Sequence, residues 1–389
     1  MAMRVRLLIS AVVLVGMMGL ASCGHYVCGI TFGNSTCTPS GGGIGNGNGT
    51  PVAFDFYLNS GNLDGAILDT SSNFSPINNF VSPPQTGTGG FGGMVVVQKQ
   101  WLYVAYGSQV EAYSIDGKTG ALTALTTSPF AFSGTEVYST STDPAGKFLF
   151  LSGANNDQVT VFAIDQTTGA LTTVGSFSTG FFAAYATTDG LGKFLYVTAG
   201  NLGTQEAVYA IGSTGSLTLV STLSISVAQL KGEPSGQFML GVTGNGANNG
   251  TGSDNHVYVY SINQTTGALT PVTGSPFATT YIPATLAVHP NGALVYTFNQ
   301  TVSGTSPMEG FQFNTTTGAL TPLASSPFTA LTAPAGTFDE SGAYLFMHPG
   351  TSLTAASVDT TTGALTSIGA PITGAGNPVA QSWAATDPH

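Results

Sequence analysis

One phrase recurs along the chain and limits what it can fold into. "SINQTTGALTPVTGSPFATT", Ser261 to Thr280, returns fifty-one residues later as "FNTTTGALTPLASSPFTAL", Phe313 to Leu331. Aligned on the leucine after each Gly-Ala or Gly-Ser pair, the copies fall at Leu122, Leu171, Leu217, Leu269, Leu320 and Leu365. Their spacings are 49, 46, 52, 51 and 45 residues. That period matches one four-stranded blade. A degenerate copy, "GAILDTSSNFSPI" at Gly65–Ile77, puts Phe74 forty-eight residues before Leu122 and aligns Asp69 with Asp116 and Asp165. The count is seven.

Each unit reads as four short runs. Glu136–Asp143 is followed by a turn at Pro144-Ala145-Gly146 and by Lys147–Ser152; then come Gln158–Asp165, a turn at Gln166–Gly169, and Ala170–Val174. In the Asp-x-x-Thr-Gly turn, Asp accepts bonds from its own turn amides and Gly supplies the positive φ of a bulged hairpin loop. Runs such as "VTVFAID" are apolar on both faces, as sheets stacked around an axis require. "VAFDFYLNSG" starts the first unit at a second strand, while "NPVAQSWAATDPH" supplies an innermost strand and then the chain stops. Closing the ring with that strand removes a sheet edge. The expected fold is all-β: a seven-bladed β-propeller of four-stranded antiparallel blades, with one C-terminal inner strand joining three N-terminal strands.

The motifs "LYVAYG" (Leu102–Gly107), "LYVTAG" (Leu195–Gly200), "DPAGKFLF" (Asp143–Phe150) and the "TTGALTP" turns resemble the seven-bladed lactonase family, with its YVTN-repeat and 6-phosphogluconolactonase-like members. The resemblance covers nearly all of Val52–His389. It implies the propeller fold, and it implies hydrolysis of phosphorylated sugar lactones, with His, Glu and Arg around the channel. The WD-repeat class is disfavoured, because the chain has only two tryptophans and no Trp-Asp pair ends a strand.

The N-terminus reads as a targeting segment. Arg4 and Arg6 precede an apolar run, Leu7 to Leu20, that is too short to span a bilayer. It ends in Leu20-Ala21-Ser22-Cys23, the layout of a bacterial lipobox, so residues 1–22 are expected to be removed and Cys23 acylated. Gly24 rather than Asp at the next position points to the outer membrane, facing the periplasm or the cell surface. Residues 23–52, rich in Gly, Asn and Ser, form an expected tether reaching on the order of 30 Å, and residues 53–389 form the propeller. Cys28 and Cys37 either close a small loop in an oxidising envelope or stay unpaired.

Losing Arg4 and Arg6 takes the formal charge from −11 to −13 and leaves five lysines as the only fixed cations. Nucleic acid needs phosphate-neutralising cations, so that class is excluded.

A meander puts alternate connections on opposite faces. The Asp-Pro-x-Gly and Thr-Gly-Ala-Leu turns are regular and share one face, where Lys99, Lys118, Lys147, Lys193 and Lys231 are expected. The other connections vary: Ser152–Asp157 is short, while Thr243–Asn255 and Asn299–Met308 are long. Irregular loops on a rigid scaffold carry binding. That face collects Asp64, Asp157, Asp254, Asn255, Glu136, Glu206 and Glu309, with His256 and His348. Asp116, Asp143, Asp189, Asp339 and His289 are read as turn formers. The phenylalanines of the "SPF" phrases, in loops leading to the inner strands, are read as wedges between blades.

Two functions fit. The first is an envelope-anchored lipoprotein, monomeric, whose variable face binds a neutral glycan or an envelope protein without a cofactor. The alternative is a lactonase-like hydrolase of a neutral lactone, with Glu136, Glu206 or Glu309 as general base and His256 or His348 as acid. With no arginine in the mature chain, a phosphate would meet carboxylates instead of a guanidinium fork. A weakly held divalent cation between Asp254 and Glu206 or Glu309 is the only metal site the residues suggest.

Overall fold

The computed structural model describes residues 26–31, 34–39, 49–59, 62–77, 92–134, 136–153, 157–199, 205–225, 227–244, 254–300, 307–349, 352–373 and 383–389. Cys23, residues 1–22, and the greater part of the two long variable connections lie outside these. All regular structure in the described residues is strand. Within the expected tether, Tyr26–Thr31 pairs with Asn34–Pro39, a register that puts Cys28 opposite Cys37.

Seven antiparallel sheets follow, and in six of them the first strand in sequence is innermost. Blade 3 is typical: Ser139–Thr142, Phe148–Gly153, Gln158–Ile164 and Leu171–Ser178. Blade 1 takes Trp383–Thr386 as its inner strand, paired with Pro51–Asn59, so that Phe54 lies opposite Thr386 and Tyr57 opposite Trp383. The ring therefore closes between the two ends of the sequence, as expected. An ion pair reinforces the closure, with Lys99 Nζ of blade 2 lying 2.6 Å from Asp387 and 3.8 Å from Glu340 of blade 7.

Local chemistry sets the blade period. Asp143 Oδ1 accepts from the Lys147 and Phe148 amides at 2.7 Å, and Asp189 repeats this at Lys193 and Phe194. Asp165 Oδ1 accepts from the Thr167 and Thr168 amides, while Gly169 sits at φ +69°. No blade can bury both faces alone, so the core is seven clusters, one per joint between blades. The tyrosine of each "LYV"-type strand locks such a joint. Tyr103, Tyr196 and Tyr296 each donate at 2.8 Å to the turn carbonyl of the following blade, at Gly169, Gly267 and Gly363.

Two expectations change. The "SPF" phrases do not lie in plain loops. Phe130–Ala131, Phe277–Ala278 and Phe328–Thr332 pair with the third strand of their own blade, as a second half of the fourth. Between the halves, Ser128, Ser275 and Ser326 Oγ accept from the Ala112, Val259 and Gly310 amides, replacing ladder carbonyls. The phenylalanines do wedge against the joint cores. Lys231 is not at a turn either. It lies in the inner strand Gln229–Gly232 and lines the central channel, because it precedes the turn acid Glu233 by two residues, whereas Lys147 and Lys193 follow Asp143 and Asp189 by four.

Candidate functional site

The third strand of each blade begins at the variable face, and its first core-facing residue is apolar in six of seven blades: Leu63, Val110, Val159, Val257, Met308 and Leu353. In blade 4 that position is Glu206, which heads Glu206–Ile211, pairs with Thr198 and is 0% exposed. A carboxylate there is costly unless it is hydrogen-bonded. The Ile225 amide donates to Oε2 at 3.0 Å, and Oε1 has no partner among the described residues. Burial pushes the carboxyl up to about 7, against the lowering effect of the Ile225 amide.

Glu206 faces blade 5, whose third strand His256–Ile262 supplies the opposite wall. Asp254 accepts from the Tyr258 hydroxyl at 2.6 Å and from Thr243 Oγ1 at 3.3 Å. His256 Nδ1 stands 3.9 Å from Asp254 Oδ1, and both side chains are about one-third exposed. Tyr258 stacks on Tyr260 with centroids 6.4 Å apart. The Tyr260 hydroxyl makes no hydrogen bond among the described residues; burial first, then the charges of Tyr258, Glu206 and Asp254, resist its ionisation. The joint thus runs from an exposed Asp–His pair down through two tyrosines to a buried carboxyl. Such a carboxyl can accept or release a proton near neutral pH.

Of the sequence candidates, Glu206, Asp254 and His256 share this joint. Asn255 has a fastening role, its Nδ2 donating to the Thr279 carbonyl while its own carbonyl accepts from the Thr279 amide, both at 2.8 Å. Asp157 takes the matching backbone bond from Thr179 in blade 3, at φ +46°. Glu309 lies in the next joint, held by the Thr280 and Tyr281 amides at 2.9 and 3.1 Å. Glu136 stays in blade 3, where its charge bears on Tyr138. Among the described residues no three His, Cys, Asp or Glu side chains group as metal ligands.

Asp64 and His348 belong to a second group, at the joint of blades 7 and 1. Its buried member is Asp55, which the sequence reading missed. His348 Nε2 lies 3.5 Å from Asp55 Oδ2, both side chains are fully buried, and Tyr57 meets the imidazole edge-on. Burial raises the Asp55 carboxyl, and His348 opposes that rise. The signal was present in the sequence: where "AFDFYL" carries Asp55, the other second strands carry Leu102, Leu149, Leu195, Met239, Val295 and Leu345. Being closed to solvent on all sides, this pair fits ring closure better than catalysis. His348→Ala, leaving Asp55 without its partner, is expected to cost about 3–5 kcal/mol. The double variant Asp55→Leu/His348→Val is expected to be neutral or stabilising by about 1–4 kcal/mol, both read from urea midpoints.

Comparison with known proteins adds a family match and several fold relatives. The sequence matches the family model described as Lactonase, 7-bladed beta-propeller, over residues 87–228 and 184–333. A Lactobacillus plantarum protein superposes with TM-score 0.64 at 15% identity, covering 87% of this chain and 99% of its own. A putative 6-phosphogluconolactonase from Bacteroides fragilis gives 0.66 at 15%, covering 87% and 98%. A periplasmic gluconolactonase from Pseudomonas aeruginosa gives 0.65 at 13%, covering 85% and 98%. At these identities the likeness establishes the fold alone. No curated protein matches the chain in sequence.

Proposed function

Because this chain belongs to the seven-bladed β-propeller lactonase family, we propose that it hydrolyses an uncharged sugar lactone at the joint of blades 4 and 5. The observation that carries this reading is Glu206, a buried carboxyl in a slot that is apolar in every other blade, with one oxygen unpartnered among the described residues. In its ionised form Glu206 takes a proton from water as the water oxygen bonds to the lactone carbonyl carbon. In this reading the Tyr260 hydroxyl donates to the developing oxyanion. The ring C–O bond then breaks, and the leaving alkoxide takes up a proton from Glu206 or from His256 at the solvent end, giving a hydroxy acid. The periplasmic gluconolactonase among the fold relatives supports this choice of substrate class.

Among the described residues the charged groups at the variable-face end of the joint are Glu206, Asp254 and His256, with no lysine, so a phosphorylated lactone would lose hydration there and gain no fixed opposite charge. The test is a lactone-hydrolysis assay on the purified propeller, with gluconolactone and its 6-phosphate compared. Turnover of the neutral lactone is expected, rising with pH through about 7 as Glu206 ionises, with none of the phosphorylated one. Undiminished turnover in Glu206→Gln would refute the site. No turnover of any lactone would leave the other function the sequence allows, a displayed binding module.

The setting we propose is the envelope, with the propeller anchored through acylated Cys23. Cys23→Ser is expected to move the protein from the membrane to the soluble envelope fraction, and retention on membranes would contradict the anchor.

A further inference from the structure

The two strands ahead of the first blade, Tyr26–Thr31 and Asn34–Pro39, place Cys28 directly opposite Cys37. Phe32 and Gly33 alone separate the strands, and the last pair of the ladder is Thr31 with Asn34. A closing pair beside a two-residue connection exchanges both of its backbone bonds, because a pair of the other class would need bonds from inside the connection. The two classes alternate along an antiparallel ladder. Ile30 with Ser35 is therefore a non-hydrogen-bonded pair, Gly29 with Thr36 a hydrogen-bonded one, and Cys28 with Cys37 again non-hydrogen-bonded. Pro39 supports the count independently. It pairs with Tyr26, two steps beyond the cysteines. A residue without an N–H fits that class, in which the amide points away from the partner strand. We propose that Cys28 and Cys37 form a disulfide across this ladder.

Non-hydrogen-bonded partners stand with Cα atoms about 4.5 Å apart, inside the span of about 4.4–6.8 Å that a disulfide bridges. An isolated two-stranded ribbon is marginal in water, and this one pairs with no blade strand among the described residues. A cross-strand bond holds it by restricting the unfolded chain. The chain has three cysteines, and Cys23 is the one proposed for the lipid anchor. Formation takes an oxidant, a low-molecular-weight or protein disulfide. One cysteine thiolate attacks a sulfur of that disulfide, giving a mixed disulfide and one free thiol. The other cysteine thiolate then attacks the sulfur of the first and releases the second thiol. The protein loses two electrons and two protons, and the oxidant gains them. The bond is independent of the lactone reading, since it uses no residue of the propeller.

The full-length chain carrying Cys23→Ser, in which Cys28 and Cys37 are the only cysteines, tests it. The protein is equilibrated with oxidised glutathione, quenched with acid, denatured and treated with a maleimide-linked polymer. No polymer addition, a monomeric band without reductant, and an intact mass two hydrogens below that of the dithiothreitol-reduced chain are expected. A second variant adds Thr36→Cys and Cys37→Ser, which moves one cysteine to the opposite face of the ladder at almost unchanged loop length. In a mixture of oxidised and reduced glutathione its intramolecular bond should form roughly tenfold less readily or worse, since cysteines on opposite faces cannot be bridged without backbone movement. The proposal is overturned by any of four results: two free thiols after oxidation, glutathione adducts, disulfide-linked dimers, or equal oxidation of the shifted pair.

Discussion

Glu206→Val is expected to stabilise the protein above neutral pH and to remove lactone turnover. Valine is the residue that blades 2, 3 and 5 hold at this position, so the packing is already proven around the ring. The pH dependence follows from the carboxyl, whose value lies near 7 in the folded chain and at the ordinary 4.5 when unfolded. Between those pH values the folded protein keeps a proton that the unfolded chain has released. Stability conferred by the neutral acid is thus complete below 4.5 and is lost as pH rises to about 7. Above that the ionised side chain costs the folded state roughly 3 kcal/mol. Urea midpoints of wild type and variant should nearly coincide at pH 4.5 and diverge at pH 8 in the variant's favour. A gap of equal size at both pH values would show that the carboxyl is not the cause. Turnover should fall by about 10²–10⁴, the usual contribution of a positioned general base.

Removal of residues 383–389 is expected to abolish cooperative folding. The strand Trp383–Thr386 occupies the innermost position of blade 1, where Ala384 and Ala385 are buried against the joints on either side. Without it, Phe54–Tyr57 would present an unpaired edge to the channel, which invites association with other chains. The truncated protein should therefore appear in the insoluble fraction. Removing only residues 387–389 takes away the Asp387–Lys99 ion pair but keeps the strand. That shorter deletion should remain soluble and lose about 1 kcal/mol or less, since Lys99 is more than one-third exposed. Soluble, cooperatively melting protein after the longer deletion would mean that ring closure contributes little.

How much of the candidate site could be read from the sequence is seen by comparing residues. Glu206, Asp254 and His256 were identifiable as acids and a histidine at the variable face. Their meeting was not, because the strands that carry them belong to different blades and face each other only once the blades are packed. Glu309 looked equivalent to Glu206 yet lies one strand position out of step with it, so it turns toward the preceding blade and serves loop amides. Asp55 and Glu206 were both detectable as charges interrupting a repeated apolar slot, a conflict between local pattern and fold that marks unusual positions. That signal lies in equivalent strand positions, which a comparison of turns and faces between blades does not expose.

The sequence by itself determined the number of blades, the four-strand order within each, the ring closure and the regular face. Those features rest on local chemistry: an Asp that binds its own turn amides, a Gly at positive φ, and alternation within a strand. Each is settled within a few residues, so a copy every fifty or so is enough to read them. Only the tertiary structure decided that Glu206 shares a joint with Tyr258 and Tyr260, that Asp55 meets His348 across the closure, and that Lys231 enters the channel. Those contacts join residues that neighbour each other through the stacking of blades around an axis. The side of the strand and the depth in the joint are set by packing, which no single repeat contains.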